Sequence, residues 1–376
     1  MNTFRIGDLQ PELPIIQGGM GVAVSLAGLA SAVANEGGIG VISAAGIGMN
    51  EPYYNKNFRE ANKRALKKEI LKARSLTNGI IGVNIMMALT DHDDLIKVAL
   101  DEEIDIIIMG AGLPLKIPAM INESGRKNHH TKLVIKVSSS KAAKLIFQYW
   151  DNKYNIIPDA VVVEGPLAGG HLGFKREDLF GEVIPLHKLI SETVNEIKYF
   201  EEKYDKEIPI IAAGGIYTGK DIYNILKSGA KAVKLGTRFV TTYECDASEE
   251  YKMSYLNCNE KDIIIIDSPV GLPGRVVKND FVDQILNGNT KPFKCVWNCL
   301  LTCNYKEAPY CIAQALFNSA KGKMSDGFAF AGANAYKATK IQHVSELIND
   351  LVIEYNLELL SQQLVNKENS AIRASY

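Results

Sequence analysis

The chain has 376 residues, with 42 Lys and Arg against 43 Asp and Glu for a formal net charge of −1, and 47% of its residues are hydrophobic. That apolar content excludes a disordered tail protein, and the near-neutral balance offers no global field to hold a polyanion, which argues against a nucleic-acid partner. The length suits one large domain plus a smaller one.

At the N-terminus Asp8 stands where a secretory leader needs an uninterrupted apolar stretch, and no later run approaches the ~18 apolar residues of a membrane helix. The six cysteines, Cys245, Cys258, Cys295, Cys299, Cys303 and Cys311, all fall in the last third of the chain, unlike a disulfide framework. These features predict a cytoplasmic protein with reduced thiols and no membrane partner.

Along the chain, short apolar and β-branched blocks occur at 13–17, 38–43, 80–85, 104–109, 132–137, 159–164, 208–213 and 230–235, each followed by a segment with helical spacing. Strands that are apolar almost throughout are covered on both faces, as in a parallel sheet wrapped by helices. Eight of them predict an α/β chain folded as a (β/α)8 TIM barrel. The competing doubly wound sheet should open on a Gly-x-Gly-x-x-Gly turn, which is not cleanly present. Residues 1–244 read as the barrel. Residues 245–376 read as a mainly helical second domain that covers one end, walls a small-molecule substrate pocket and can also form the interface of a homodimer.

A barrel of this kind carries its chemistry just after the strands, and those segments are glycine-rich here. They read Gly18-Gly19-Met20-Gly21, Ala44-Ala45-Gly46, Gly110-Ala111-Gly112, Gly169-Gly170-His171-Leu172-Gly173, Ala213-Gly214-Gly215-Ile216 and Gly236-Thr237-Arg238. Glycines also serve plain tight turns, but the last two follow strands 7 and 8, where such barrels cradle phosphate on backbone N–H groups. His171 lies between glycines at the barrel mouth and is the candidate general base, whereas His129 and His130 sit in a polar loop and read as surface. Asn84 and Lys136 interrupt apolar strands near their C-terminal ends and should face the mouth, where a bound anion or electron-rich ring would account for a buried lysine.

In this order the motifs resemble the nitronate monooxygenase (2-nitropropane dioxygenase) family and the related flavin-dependent enoyl-acyl-carrier-protein reductase II. The likeness runs from Pro14-Ile15-Ile16-Gln17-Gly18-Gly19-Met20 to Gly236-Thr237-Arg238-Phe239 and resumes at Gly332-Ala333-Asn334-Ala335-Tyr336. It implies an FMN-dependent oxidoreductase that converts alkyl nitronates and O2 to a carbonyl compound and nitrite, with His171 over the flavin. The implied FMN contacts are Gly18, Met20, Asn84, Lys136, Glu164, Gly169, Gly170, Gly214, Gly215, Lys234, Gly236 and Thr237. The chain departs from the monooxygenase pattern with Glu164 in place of glutamine, Leu167 in place of glutamate and Lys234 in place of a frequent glutamine. Glu164 matches the reductase, but Ala168 replaces that enzyme's usual serine. The alternatives are therefore a reductase using NAD(P)H and an acyl thioester, and, more distantly, a barrel binding a sugar phosphate or nucleotide without redox chemistry.

Cys295, Cys299, Cys303 and Cys311 form a C-x3-C-x3-C-x7-C run whose first three members would share one face of a helix. Thiolates so placed could ligate a metal or an iron–sulfur cluster, yet the spacing matches no common zinc or ferredoxin pattern. No metal is assigned from sequence, and the cysteines read as small buried side chains.

Overall fold

The structure, a computed structural model, describes residues 1, 3–123 and 130–374 of the chain. The apolar blocks become β1 (Ile15–Gln17), β2 (Gly40–Ser43), β3 (Ile81–Met86), β4 (Ile106–Gly110), β5 (Lys132–Val137), β6 (Ala160–Glu164), β8 (Ile210–Ala213) and β9 (Ala232–Leu235), with a two-residue strand β7 (Gly170–His171) between β6 and β8. The eight long strands pair in parallel in the order β1-β9-β8-β6-β5-β4-β3-β2. A bridge between Ile16 and Ile39 joins the ends, so the sheet is a barrel and not an open doubly wound sheet. All eight predicted blocks are strands, most of them beginning a residue or two later than the apolar run, where the chain is still leaving a loop.

Two apolar layers hold this frame. Ile16, Val41, Ile106, Val134, Val162 and Ile211 fill the barrel, and Phe4 and Ile6 from the N-terminal segment join the same cluster. Residues of the other parity, such as Val83, Ile107, Ile135 and Val161, pack beneath the surrounding helices. Those helices are α1 (Ala27–Asn35), α2 (Phe58–Leu76), α3 (His92–Asp101), α4 (Ile117–Glu123), α5 (Ser140–Tyr154), α6 (Leu186–Tyr204) and α7 (Gly219–Lys227). The last starts on a capping box in which Thr218 and Asp221 bond each other's backbone N–H at 3.1 and 2.9 Å.

A short α8 (Thr237–Val240) follows β9, and then come α9 (Glu249–Leu256), β10 (Ile263–Asp267), β11 (Pro273–Val277), α10 (Asp280–Leu286), α11 (Ile312–Ala320) and α12 (Val344–Ala374). This later segment is mainly helical, but β10 and β11 pair antiparallel and β11 recruits β7 into a three-stranded sheet. The long α12 returns to the barrel and lies along α7 and α1. Among the described residues no helix is long and apolar enough to cross a membrane.

One contact links the later segment to the first helix. Leu26 at the start of α1 has no side-chain cap of its own, and the Asp246 carboxylate accepts instead from the N–H groups of Leu26, Gly28 and Leu29 at 2.7, 3.2 and 3.2 Å. Asp246→Ala strips the start of the helix of these acceptors and should cost about 1–2 kcal/mol, read as a lower urea midpoint at unchanged slope.

Candidate active site

Strand parity decides what stands at the barrel mouth. Two positions beyond the interior residues Val134, Val162 and Ala232 come Lys136, Glu164 and Lys234, and Asn84 follows Gly82 in the same way. All four line a cavity of about 780 Å³. The paired register of β5 and β6 brings Lys136 Nζ to 2.7 Å from Glu164 Oε2, both side chains being mostly buried. Lys136 thus has a protein partner, which the sequence reading did not provide. Gly110 makes room for it, since a Cβ there would lie 2.6 Å from Lys136 Cε.

Lys234 has no such partner: among the described residues no oxygen accepts a hydrogen bond from its Nζ. Burial and then repulsion from Lys136 push its pKa down to about 8, against the pull of Glu164. The strand ends therefore bring two amines and one carboxylate to the mouth.

The loops after β8 and β9 differ in how their glycines are used. Gly214 and Gly215 have φ of 95° and 80° and press on the turn after β6. A Cβ on Gly214 would stand 2.9 Å from Gly165 O, and one on Gly215 would stand 2.9 Å from Leu167 Cβ. Gly236 instead opens on the cavity, with only the Met20 side chain within 4 Å of the same construction. Gly18 packs against it and donates its N–H to Leu235 O at 2.7 Å. Among the described residues the N–H groups of Gly215, Gly236 and Thr237 donate to no backbone or side-chain acceptor.

A strap from the later segment fixes these loops against one another. Gly332 N–H donates to Thr237 Oγ1 at 2.9 Å, Ala333 N–H to Leu167 O at 3.1 Å and Asn334 Nδ2 to Gly215 O at 2.7 Å. Gly169 lies so close beneath the strap that a Cβ would fall 2.6 Å from the Ala331 carbonyl carbon and Gly332 N.

His171 enters the cavity from β7, where it pairs with Gly274 and follows Gly170 at φ 79°. Its Nε2 lies 2.7 Å from Ser268 Oγ, and its ring meets Phe330 edge-on at 4.9 Å between centroids. Burial, and then the nearby Lys136 charge, push its pKa down to about 4, so the imidazole is neutral at pH 7 and able to accept a proton. His130 is exposed and takes no part, and His129 lies outside the described residues.

Sequence reasoning missed three residues that hold this arrangement. Ser268 anchors the imidazole and Phe330 walls it. Arg275, 5% exposed, donates Nη1 to the carbonyls of Pro166 and Ala168 at 2.7 and 2.5 Å and so fixes the turn that leads to His171. Burial without an acidic partner pushes its pKa down to about 10. None of the three sits in a motif of its own; each acts across a long sequence separation. The cysteine run also differs from expectation, because residues 295–303 are not helical. Hydrogen bonds from Thr90 N–H to Cys299 O and from Leu301 N–H to Ala88 O draw the segment out along the mouth instead.

A model of the nitronate monooxygenase family matches residues 3–354. A probable nitronate monooxygenase of Staphylococcus haemolyticus is 26% identical over 93% of this chain and 96% of its own length. A Mycobacterium tuberculosis protein named (3aS,4S,5R,7aS)-5-hydroxy-7a-methyl-1-oxo-octahydro-1H-indene-4-carboxyl-CoA dehydrogenase is 25% identical over 74% of this chain, and the match spans 66% of that relative, just under two thirds. Among solved structures, FabK from Thermotoga maritima superimposes with a TM-score of 0.72 and 27% identity, covering 94% of this chain and 96% of that one.

The buried imidazole sets a pH window. Between pH 6.5 and about 4 the unfolded chain binds a proton at His171 that the folded chain refuses, so this group removes stability as pH falls through that range. NMR of histidine-labelled protein should show one imidazole titrating near pH 4, lost in His171→Ala. A value near 6.5 for that resonance would contradict the burial.

Proposed function

We propose that this chain, which belongs to the nitronate monooxygenase family, is an FMN-dependent oxidoreductase, that FMN binds in the barrel mouth and that alkyl nitronates are oxidised there by O2 to a carbonyl compound and nitrite. Family membership sets aside the sugar-phosphate barrel without redox chemistry. One observation carries the reading: a neutral imidazole faces a cavity whose floor holds Lys136, Glu164 and Lys234 and whose rim offers free backbone donors.

The residues fit FMN. The donors of Gly215, Gly236 and Thr237 suit a phosphate, and the side-chain-free rim at Gly236 lets an anion approach them. With Gly214 they would hold the phosphate end. Lys136, Lys234, Glu164 and Asn84 would face the ring, flanked by Gly18, Met20, Gly169 and Gly170. When bound, FMN supplies the one- and two-electron chemistry that no side chain can.

The chain's own contribution is charge and proton control. Lys136 and Lys234 favour an anionic substrate such as a nitronate over its neutral parent. His171, in the tautomer that donates Nε2–H to Ser268 Oγ, keeps Nδ1 as an acceptor for the α-proton of a nitroalkane. The later segment walls the cavity with Leu272, Leu300, Leu316 and Phe330, which limits water at that proton.

A second reading is an acyl-thioester oxidoreductase drawing on NAD(P)H, favoured by Glu164 at a position where the monooxygenase pattern has glutamine. The name of the mycobacterial carboxyl-CoA dehydrogenase points the same way. Purified protein should be yellow, absorbing near ~450 nm, and should take up O2 with nitronates. Inert nitronates together with rapid NAD(P)H-dependent turnover of enoyl thioesters would establish the second reading instead.

Two variants separate binding from chemistry. His171→Ala should keep its flavin and lose on the order of 10²-fold or more in turnover of a neutral nitroalkane, whose α-proton must be removed, while a preformed nitronate is largely spared. Gly215→Val collides with Leu167 and adds strain at positive φ, so it should be isolated with little FMN; full occupancy would refute the phosphate assignment.

A further inference from the structure

The charges that the strand ends bring to the mouth do not balance, and the register of the sheet shows which one is left over. Glu164 on β6 and Lys234 on β9 are both in register with Ala213 on β8, the strand that runs between them. Two strand spacings, about 10 Å, separate their backbones, and a single methyl group stands in the position between. On its other side Lys234 is in register with Ile16 of β1. Ile16 and Ala213 both belong to the apolar cluster that fills the barrel, so neither neighbour offers Lys234 a counter-ion.

Glu164 is already committed. Its Oε2 holds Lys136 Nζ at 2.7 Å, and a turn toward Lys234 would strand Lys136 instead. Among the described residues the other carboxylate lining the cavity is Asp91, which accepts from Asn62 Nδ2 at 2.7 Å and follows β3, three strands from β9 around the barrel. Lys234 Nζ donates to no oxygen among the described residues, and it is not one of the side-chain atoms sealed inside the protein without a partner. The amine is therefore open to the cavity that Lys234 lines. With a pKa of about 8 it is mostly an ammonium at pH 7, and a charge so enclosed attracts an anion more strongly than one in water.

We propose that Lys234 sets the redox balance of the flavin: its unpaired ammonium favours the forms of FMN that carry negative charge on the ring over the neutral oxidised form, and Glu164 limits that bias by neutralising Lys136. The oxidised isoalloxazine is neutral, whereas two electrons and one proton make it an anion, so a fixed cation beside it strengthens its hold on electrons. Lys136 and Glu164 act as a near-neutral pair and contribute little. The inference rests on the flavin reading, and not on the choice between nitronate and acyl-thioester substrates.

The full-length flavoprotein is titrated with sulfite, whose sulfur lone pair forms a bond to ring nitrogen N5 while the ring takes up one negative charge. Bleaching of the band near ~450 nm gives the dissociation constant, and equilibration with a reference dye gives the midpoint potential. Wild type should bind sulfite. Lys234→Gln should weaken that binding about tenfold or more and lower the potential, and Lys234→Arg, which keeps the charge, should retain most of the affinity. Glu164→Gln should move both readouts the other way, because it releases the charge of Lys136. A merely structural role would not give opposite signs at these two positions. Should a variant at 234 lose its flavin, the wild-type and Glu164→Gln titrations decide. Wild-type flavoprotein that binds no sulfite, or Lys234→Gln with unchanged affinity and potential, would overturn the inference and leave the flavin reading standing. Protein that stays colourless with excess FMN would overturn the flavin reading itself, and this inference with it.

Discussion

Two amines and one carboxylate from the strand ends share the mouth of a barrel whose interior is mostly hydrocarbon, and the architecture of the site follows from that imbalance. Lys136 and Glu164 satisfy each other at 2.7 Å, which leaves Lys234 without a hydrogen-bonding oxygen and with a pKa lowered to about 8. An amine kept in that state is costly unless something anionic or electron-rich completes its surroundings. The same field reaches His171, where the Lys136 charge adds to burial in keeping the imidazole neutral. Burial thus keeps the base uncharged, and the cationic floor beneath it acts in the same direction.

The barrel was legible because its strands are apolar on both faces. A run such as Ile106–Gly110 needs no partner to be recognised. The polar residues at the strand ends were legible for the same reason, as interruptions whose parity is fixed. Lys136 was placed correctly, but its partner was not found, since register between β5 and β6 is a property of the closed sheet. Gly214 and Gly215 stood out as paired glycines, and their positive φ gives the pairing a physical cause.

What the sequence hid is what long-range pairing creates. β7 has two residues, too few to carry any pattern, and exists only because β11 lies beside it. Arg275 looks like an ordinary strand residue until Pro166 and Ala168 are seen to turn their carbonyls toward it. The cysteine run offered a helical period, and helix formation lost to hydrogen bonds with the loop after β3, which a local reading cannot weigh. Ser268 and Phe330 meet His171 across separations of about a hundred residues or more, so no spacing could announce them.

These two kinds of element divide the site. The glycine loops and charged strand ends come from local strand-to-loop geometry on the barrel, whereas Ser268, Leu272, Leu300, Leu316 and Phe330 come from the segment that follows it. The hydrogen bonds of Gly332, Ala333, Asn334 and Arg275 hold the turns of the inner half in place, and none of them comes from the wall side chains Leu272, Leu300, Leu316 and Phe330. Side chains of the outer wall can therefore change while the inner half stays fixed. The outer wall, and not the loops after β8 and β9, is the part of the cavity free to differ without disturbing the inner half.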